Sequence, residues 1–448
     1  MKKSFLVLFI LIINFNLVLA QQNIFDKIKD GNIYSKGVSE KIERLKLRED
    51  IKISEQVVLK PNITLSKNFK GIFNIFDKDL EFEITEDHGA DVNDIHGYKA
   101  ELKEGGYAIL SVSNQGIDVS IWYRDYFYKI EAIENSIYFI SEMDMDKIIK
   151  HDCNYDHAER KLLNKTNDQF SVLSTLSAAT MKVFVAYTPA VAQNYNVSTL
   201  INQCISTTNI AYGFSLVSSS VQLVGSTQLN YTESGSSETD VNRFMTNYDG
   251  YMDEIHSLRN QYEADICVLL VNTSDANGRV PDGAIGAVFS NAFCVVKASA
   301  AAGYYSFAHE LGHLQGCRHD SDPGSVPYDF AHGHNWYGKM SYFPDEHSYR
   351  TIMSINDKGY YRVQYFSNPN VYDQLNNPMG TADYNYCASA IDVRASTIAS
   401  FEPHYTTSGT MTVNEWWSGT ITVTGNVTVG SGVILPLKVQ QKVKQPFY

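Results

Sequence analysis

The sequence predicts an α/β (α+β) domain that lies between two β-rich segments. Three observations support this: helical and strand-like patterns alternate from Met181 onward, short alternating runs occupy 107–143, and Thr, Val and Gly alternate through 410–437. The chain has 448 residues, of which 44% are hydrophobic and 19% charged. That length suffices for about three folded units, and the composition excludes a disordered polymer.

The N-terminus has the pattern of a secretory signal peptide. Lys2 and Lys3 form a short positive head, residues 5–13 are an unbroken apolar run, and small residues precede a cleavage point after Ala20. The alternative is an uncleaved membrane anchor, but the run is shorter than the ~20 residues that a membrane span needs. We expect a protein without a transmembrane segment that is secreted, held at the cell surface or periplasmic.

Residues 21–180 follow as a separate segment. Lys, Asp and Glu are frequent up to about residue 90, and the runs 108–113 and 118–123 then alternate in the manner of strands. The polar stretch 152–169 and the loose stretch 174–180 come next. We interpret these last two stretches as a linker that a protease can enter.

The pattern of residues 181–403 predicts the α/β domain itself. The predicted elements are a buried strand at 183–187, a helix over 198–213, a strand at 221–224, one amphipathic helix over 239–262 and a doubly buried strand over 264–271. Strands that alternate with helices favour this fold class. Residues 404–448 are predicted to be a β-rich extension with too few residues for a core of their own.

Charge argues against one class of function. The chain has 37 Lys and Arg against 50 Asp and Glu, a net charge of −13, whereas proteins that bind phosphate backbones usually carry the opposite sign. We therefore expect no nucleic-acid partner. The six cysteines allow 15 pairings, among which the sequence does not choose, and they lack the CxxC spacing of a structural zinc site.

One short segment has the spacing of a metal site. His309 and His313 are four positions apart, so on a helix they lie about 40° apart and can direct nitrogens at one ion. Glu310 is adjacent and can reach a water molecule at that ion without being a ligand. Gly316 lies where the helix has to end, and its freedom at positive φ lets the chain return His319 as a third ligand.

Three protein ligands with an open fourth position are typical of a catalytic zinc site. A zinc ion there would polarise a scissile carbonyl, and Glu310 would act as general base, passing a proton from water to the leaving amine. Three His and one Gly at these spacings arise by chance roughly 5 × 10⁻⁴ times in a chain of this composition. The alternatives are a helix with surface histidines and a metal-free relic.

This pattern resembles the metzincin clan of zinc endopeptidases, whose motif is HExxHxxGxxH followed by a Met-turn. The resemblance implies a mixed sheet with an active-site helix. Met353 is the Met-turn candidate, an apolar floor beneath the histidines, although a plain core methionine would pack in the same way. Asp320, directly after His319, resembles the reprolysin (adamalysin) branch, in which this residue buttresses the active-site turn.

The resemblance runs over about 181–403 and is closest to the bacterial reprolysin-like proteases, including the peptidyl-Asp metalloendopeptidases. It implies that a strand around 284–289 is the edge strand above the zinc, to which an extended substrate adds. It also implies that 354–364 forms a wall of the S1′ pocket. Lys358 and Arg362 lie there, where a cation would favour acidic side chains, but we expect both to be solvated surface charges.

The remaining histidines and Cys153 have other expected roles. His256, His332 and His334 are predicted to be hydrogen-bonded or surface histidines, not ligands. Cys153 is the only cysteine before the predicted catalytic domain and is a candidate cysteine switch, whose thiolate would fill the open zinc position. The alternatives for Cys153 are a disulfide to the catalytic domain and an unpaired thiol.

The sequence therefore predicts a secreted zinc-dependent endopeptidase that is made as a zymogen. Residues 1–20 would be the signal peptide, 21–180 a propeptide that acts as an intramolecular inhibitor, 181–403 the catalytic domain and 404–448 the extension. The expected partners are protein or peptide substrates, and the expected cofactor is one zinc ion; calcium is left open. The alternatives are a narrow protease that cleaves beside acidic residues and a surface-binding protein with a vestigial protease fold.

Overall fold

A computed structural model describes most of the chain. The described residues are 22–28, 34–61, 63–134, 136–149, 178–324, 327–341, 343, 345–355, 360–401, 409–411, 427–429 and 431. The predicted signal peptide, Cys153, Lys358 and most of the predicted linker lie outside them. Within the described ranges, no helix has both the length and the apolar character that crossing a membrane requires.

The N-terminal part, residues 22–149, is a ten-stranded sheet with two helices. Its elements are β1 Gln22–Asn23, β2 Phe25–Lys27, α1 Lys36–Lys46, β3 Ile51–Leu59, β4 Lys70–Ile75, β5 Lys78–Ala90, β6 His96–Leu102, β7 Tyr107–Ser113, β8 Gly116–Tyr123, β9 Tyr126–Glu134, β10 Ile137–Met143 and α2 Met145–Ile149. The strands predicted within 107–143 are confirmed as β7 to β10.

This sheet curls until its two ends meet. The strand order is β1-β4-β5-β6-β7-β8-β9-β10-β3-β2, and all neighbours are antiparallel except β1 and β4. β1 and β2 are consecutive in the chain yet lie at opposite ends of this order. Ile24 joins them, because its N–H donates to the Ile72 carbonyl (3.2 Å) and its carbonyl accepts from the Lys60 N–H (3.0 Å). The result is a nearly closed barrel around buried side chains such as Phe73 and Ile121.

The remaining described residues form the predicted α/β domain and small peripheral sheets. The elements are β11 Thr180–Tyr187, α3 Pro189–Asn194, α4 Val197–Phe214, β12 Ser220–Gln228, α5 Ser237–Met245, α6 Glu254–Gln261, β13 Ile266–Val271, β14 Gly278–Arg279, β15 Phe293–Lys297, α7 Ala298–Ala301, α8 Ser306–Leu314, β16 Asn335–Gly338, β17 His347–Arg350, β18 Tyr361–Arg362, β19 Asn368–Tyr372, β20 Pro378–Met379, α9 Cys387–Ile398, β21 Gly409–Met411 and β22 Val427–Val429. β21 and β22 pair in parallel, and most of the predicted C-terminal extension lies outside the described residues.

The central sheet of this domain is mixed. Its order is β12-β11-β13-β15-β14, with the first four strands parallel and β14 antiparallel at one edge. Every residue of β13 is buried, because helices cover both faces of the sheet. Val268 and Leu270 point into one apolar cluster and Cys267 and Leu269 into another. The α/β prediction and the doubly buried strand are thus confirmed.

The single helix predicted over 239–262 is wrong. The chain forms two helices, α5 and α6, with a turn between them in which Tyr248 and Gly250 have positive φ values of 66° and 84°. The Asp253 carboxylate accepts the N–H groups of both residues, at 2.7 Å and 3.2 Å. Local turn chemistry therefore interrupts an apolar periodicity that is otherwise helical.

α4 is the element on which the two parts of the chain meet. Most of its residues are buried, because one side packs on the mixed sheet and α8 while the other faces the N-terminal barrel. The Ser111 hydroxyl donates to Asn202 Oδ1 and the Ser120 hydroxyl to Gln203 Oε1, each at 2.8 Å. Asn202 and Gln203 are thus polar residues of a mostly apolar helix, and they lie on the face of α4 that contacts the barrel.

Candidate active site

The centre of the site is α8, which carries two of the predicted metal ligands. Its first intrahelical bond runs from the His309 N–H to the Tyr305 carbonyl (2.9 Å). The helix ends at Leu314, and Gly316 follows with a φ of 97°, which glycine adopts at little cost. The Cys317 N–H then closes the turn on the Gly312 carbonyl (2.9 Å). This turn redirects the chain toward the helix and brings back the third histidine.

The three histidines converge as the spacing predicts. Nε2 of His319 lies 3.2 Å from Nε2 of His309 and 3.0 Å from Nε2 of His313. Tetrahedral ligands at zinc–nitrogen distances of ~2.05 Å are about 3.3 Å apart, so the separations suit one ion. These three residues are the only group of potential ligands with such convergence among the described residues. All three side chains are buried.

Each imidazole is held by its other ring nitrogen. Nδ1 of His309 lies 2.7 Å from the Ile352 carbonyl oxygen, and Nδ1 of His313 lies 2.9 Å from the Cys317 carbonyl oxygen. Donation from Nδ1–H to a carbonyl leaves the Nε2 lone pair for a metal. Burial, and then the charge of neighbouring groups, lowers the pKa of His309 well below its ordinary value and that of His313 to about 3. Neutral imidazoles are the form that ligates metal.

Asp322 is a residue of the candidate site that the sequence did not single out. Its Oδ1 lies 3.4 Å from Nδ1 of His319, and its Oδ2 accepts the His319 N–H (3.2 Å). Burial alone would raise the pKa of Asp322, but its hydrogen bond with His319 and the imidazole charge hold that pKa well below the ordinary value. The third predicted ligand, His319, thus has a carboxylate partner, and the only sequence signal for it was an acidic residue three positions further on.

Asp320 lies in the place that the resemblance implied. Its Oδ2 accepts from the Asn335 side-chain amide (2.7 Å), and its Oδ1 accepts the Ile355 N–H (3.0 Å). These bonds tie the turn around the third histidine to the segment after Met353. Met353 is fully buried against α8, since a Cβ at Gly312 would lie 2.5 Å from its sulfur.

Glu310 is buried beside the edge strand of the mixed sheet. A Cβ placed at Gly278 would lie only 2.3 Å from Glu310 Oε1, so the side chain packs directly on β14. The edge strand predicted around 284–289 is wrong: β14 occupies the edge, while a 3-10 turn covers Phe289–Asn291. Positive φ values at Gly283 (73°) and Gly286 (67°) break the predicted stretch.

Arg362 is not the solvated surface charge that we expected. Its guanidinium donates to the Ile352 carbonyl and to the Tyr304 carbonyl (3.0 Å), and its Nη2 lies 2.7 Å from Nδ1 of His309. The side chain is half-buried behind His309, a predicted metal ligand, and braces the Ile352 carbonyl that contacts this imidazole. Lys358, the other cation considered for the S1′ wall, lies outside the described residues.

The other histidines are hydrogen-bonded or packed residues, as predicted. Nδ1 of the buried His332 lies 2.9 Å from the His319 carbonyl oxygen, so this residue supports the backbone of the third ligand. His334 stacks on Trp336, and His256 packs on Phe293. Burial is the main cause that lowers the pKa of His256, to about 4.

A buried three-histidine cluster with an adjacent carboxylate beside a sheet edge defines the class of metal-dependent peptidases. Residues 177–367 match the model of metallo-peptidase family M12. The chain is also 36% identical over 307 residues to the peptidyl-Asp metalloendopeptidase of Stenotrophomonas maltophilia strain R551-3, covering 66% of this chain and 71% of that protein. The chain therefore belongs to metallo-peptidase family M12, and it is a metalloendopeptidase.

Other relatives carry the same name. The peptidyl-Asp metalloendopeptidase of Xanthomonas campestris pv. campestris is 35% identical over 288 residues, covering 61% of this chain and 65% of that protein. Among solved structures, metalloproteinase-II from Bacteroides fragilis matches with a TM-score of 0.36 and 11% identity, over 60% of this chain and 83% of that chain. A score this low supports no conclusion about the fold, so the family assignment rests on sequence.

Proposed function

We propose that this metalloendopeptidase uses zinc, held by His309, His313 and His319, with Glu310 as its general base. The observation that supports this most is the convergence of three buried Nε2 atoms, two from α8 and one from the segment after it, with that of His319 3.2 Å and 3.0 Å from the other two. Three imidazole nitrogens suit zinc, and the remaining coordination position is left for water or substrate. The family name specifies a metallo-peptidase but not the metal.

The chain's own residues divide the work of peptide hydrolysis. When bound, zinc supplies a Lewis acid that polarises a carbonyl and lowers the pKa of water. Glu310 accepts a proton from the attacking water at a carboxylate oxygen and donates it to the nitrogen of the leaving amine. β14 pairs with β15 on one side, and its other side offers backbone groups for an extended peptide, as in strand addition.

We also propose that substrates carry an acidic residue, Asp above all, beside the cleaved bond. The support is that several relatives at about 35% identity are named peptidyl-Asp metalloendopeptidases. The test is a set of matched peptides that differ by Asp, Asn, Glu or Ala at one position. Cleavage of the Asp peptide at least 10-fold faster than the Asn peptide supports the proposal, and equal rates contradict it.

Export as a zymogen is the third part of the proposal. Residues 1–20 would direct export, 21–180 would be a propeptide and inhibitor, and Cys153 would act as a switch. The apolar N-terminal run and a barrel that has its own sheet and apolar core support this arrangement. N-terminal sequencing of the exported protein tests it: Gln21 is expected before activation, and a residue near 180 afterwards. An intact Met1 in exported protein would contradict the signal peptide.

Casein cleavage by the exported full-length protein, activated by limited proteolysis, tests the metal and the base. We expect about one zinc ion per chain, loss of cleavage with a chelator and recovery on adding zinc. Glu310→Gln should retain zinc but lose at least 100-fold in rate. Cleavage that survives chelation, or a fully active Glu310→Gln variant, would contradict the mechanism.

A further inference from the structure

The short elbow before α8, residues 303–305, receives three aromatic side chains from the N-terminal barrel. We call Tyr107, Trp122 and Phe127 the aromatic clamp. The Trp122 Nε1–H donates to the Gly303 carbonyl (3.1 Å), and the hydroxyls of Tyr107 and Tyr305 lie 2.9 Å apart. The rings of Trp122 and Tyr305 are stacked, with centroids 5.9 Å apart and planes at 14°.

The elbow has a backbone conformation that its own sequence does not favour. Tyr305 has φ 61° and ψ 21°, the left-handed region that bulky residues rarely adopt. Its carbonyl accepts the first hydrogen bond of α8, from His309, which is a predicted metal ligand. The conformation of Tyr305 therefore decides where the active-site helix begins.

The fit between elbow and clamp depends on shape. A Cβ at Gly303 would lie 2.0 Å from the Phe127 ring, so only glycine permits the observed contact. The elbow also contacts the metal site from its other side, because the Tyr304 carbonyl accepts from Arg362 (3.0 Å). The barrel thus touches Gly303 and Tyr305, on either side of the residue that accepts from Arg362.

We propose that the N-terminal barrel is a docking partner that stabilises the elbow and the start of α8, and that it stays bound after the chain is cut within 150–177. This goes beyond the proposed inhibitory role, since the contact lies behind the first turn of the helix. The ligand of this surface is a folded polypeptide, residues 22–149 of the same chain. The clamp residues join the apolar core of the catalytic part, which favours retention after cleavage.

A full-length chain with a site-specific protease sequence inserted between 150 and 177 tests retention. After cutting, we expect both fragments to elute together in size-exclusion chromatography at micromolar concentration. The control is Tyr126→Ala in the same chain. It removes an aromatic ring that packs against the barrel's own core and not one of the clamp residues, so the fragments should still elute together. Separation of the wild-type fragments would overturn the proposal.

A pair of complementary substitutions separates shape-specific docking from general destabilisation. Gly303→Ala should weaken fragment association at least 10-fold, and Phe127→Ala in the same chain should restore part of it by making room for the new methyl group. Gly213→Ala is the control glycine, because a Cβ there meets nothing within 4 Å. Failure of Phe127→Ala to improve the Gly303→Ala chain would overturn the assignment of this contact.

Amide hydrogen exchange reports on the helix start itself. In Gly303→Ala, the peptide that spans 303–312 should exchange faster, while Tyr126→Ala and Gly213→Ala should leave it unchanged. Unchanged exchange in Gly303→Ala would show that the barrel binds without supporting α8, and the proposal would fail on that point.

A different observation carries a second inference, which concerns two cysteines. Cys317 and Cys387 are fully buried and their thiols are in contact, with Cys317 Sγ also 3.6 Å from the Cys387 carbonyl oxygen. Cys267 and Cys294 lie on adjacent strands but face opposite sides of the sheet. Among the five described cysteines, which the structure shows as thiols, Cys317 and Cys387 are thus the pair placed for bonding.

We infer that Cys317 and Cys387 form a disulfide during export. The two thiols lose two protons and two electrons as the S–S bond forms, and an external disulfide, that of an oxidoreductase or of oxidised glutathione, is reduced to two thiols. The bond would join the turn before His319 to the start of α9. It would therefore constrain the position of His319, because it links the turn before this residue covalently to a segment 70 residues further along the chain.

Peptide mapping of protein exported to an oxidising compartment, alkylated before reduction, tests this pair. We expect a cross-linked peptide containing both cysteines that disappears on reduction. Cys317→Ala, Cys387→Ala and the double variant should lower the melting temperature equally, because either change removes the same bond. Both residues alkylated without reduction, or additive losses in the double variant, would overturn the inference.

Discussion

The carboxylate of Asp322 and the imidazole of His319 form a buried pair, with Oδ1 of Asp322 3.4 Å from Nδ1 of His319 and each side chain 1% exposed. The other two histidines hold their Nδ1 atoms against backbone carbonyls instead. A carboxylate behind a ligating imidazole orients the ring and raises its basicity. The three proposed ligands therefore differ in what supports them, and the imidazole of His319 is held by a side chain that mutagenesis can remove.

Asp322→Asn should weaken metal binding by roughly 10- to 100-fold, as loss of such outer partners does in other metal sites. Competition with a chelator of known zinc affinity measures the effect. Asp329→Asn is the matched control, since Asp329 is exposed in the same loop region. An Asp322→Asn protein that holds metal as tightly as wild type would refute a supporting role for this carboxylate.

Gly278→Ala should lower the rate of peptide cleavage at least 10-fold without loss of metal. The added methyl group would lie 2.3 Å from Glu310 Oε1 and would displace the proposed base, while the histidines are not touched. Activity assays together with metal analysis make the measurement. Gly213→Ala serves as control, and a Gly278→Ala enzyme with normal activity would contradict the packing of Glu310 on β14.

Arg362→Met should destabilise the catalytic part by about 1.5–3 kcal/mol, the range for hydrogen bonds to a charged group. The substitution removes the donors to the Ile352 and Tyr304 carbonyls. Denaturant unfolding measures the change. Lys36→Met is the control because the Lys36 side chain is 91% exposed, and equal stabilities of the two variants would argue against the bracing role of Arg362.

Asp118 should make the stability of the barrel–domain contact depend on pH. It lies on β8 and accepts the Ala132 N–H (2.6 Å) and the Thr199 hydroxyl of α4. Burial raises its pKa from 3.8 to about 6, although these two hydrogen bonds lower it. Because the folded-state pKa is the higher one, its stabilising contribution is complete below about pH 3.8 and is lost as the pH rises through about 6.

Asp118→Asn should therefore gain stability relative to wild type between pH 4 and 7, by up to about 3 kcal/mol for a difference of about two pH units. Thermal unfolding of the full chain across this range measures the gain. Asp125→Asn, at an exposed position in the β8–β9 turn, should show none. A constant difference between Asp118→Asn and wild type at all pH values would contradict the raised pKa.

Cys153→Ser should reduce the inhibition of the exported protein before its activation. If its thiolate occupies the open metal position, the variant will cleave casein before activation, at several times the wild-type rate. Chelation should abolish this activity, which separates it from a contaminating protease. A variant as latent as wild type would remove Cys153 from the inhibitory mechanism and leave the propeptide fold alone to explain latency.

The metal site could be predicted because its geometry is local. A helix places His309 and His313 on one face whatever surrounds it, and Gly316 permits the turn that returns His319. The doubly buried strand β13 was also predictable, since a short, continuous run of apolar residues is typical of a strand that is buried on both faces. By contrast, a strand as short as β14 has no pattern of its own, and it forms an edge only because β15 lies beside it.

The sequence by itself determined the α/β class and the family to which the chain belongs, and it predicted the three histidines that converge. Only the tertiary structure decided what holds those histidines in place. Arg362 and the aromatic clamp act across contacts between segments far apart in the chain, and no local periodicity encodes such contacts. Asp322 is only three residues from His319, but its carboxylate reaches that imidazole because the tertiary structure buries both side chains together. These contacts matter because they are buried. A polar group that is shielded from water has few alternative hydrogen-bond partners, so each bond fixes the position of the groups it joins.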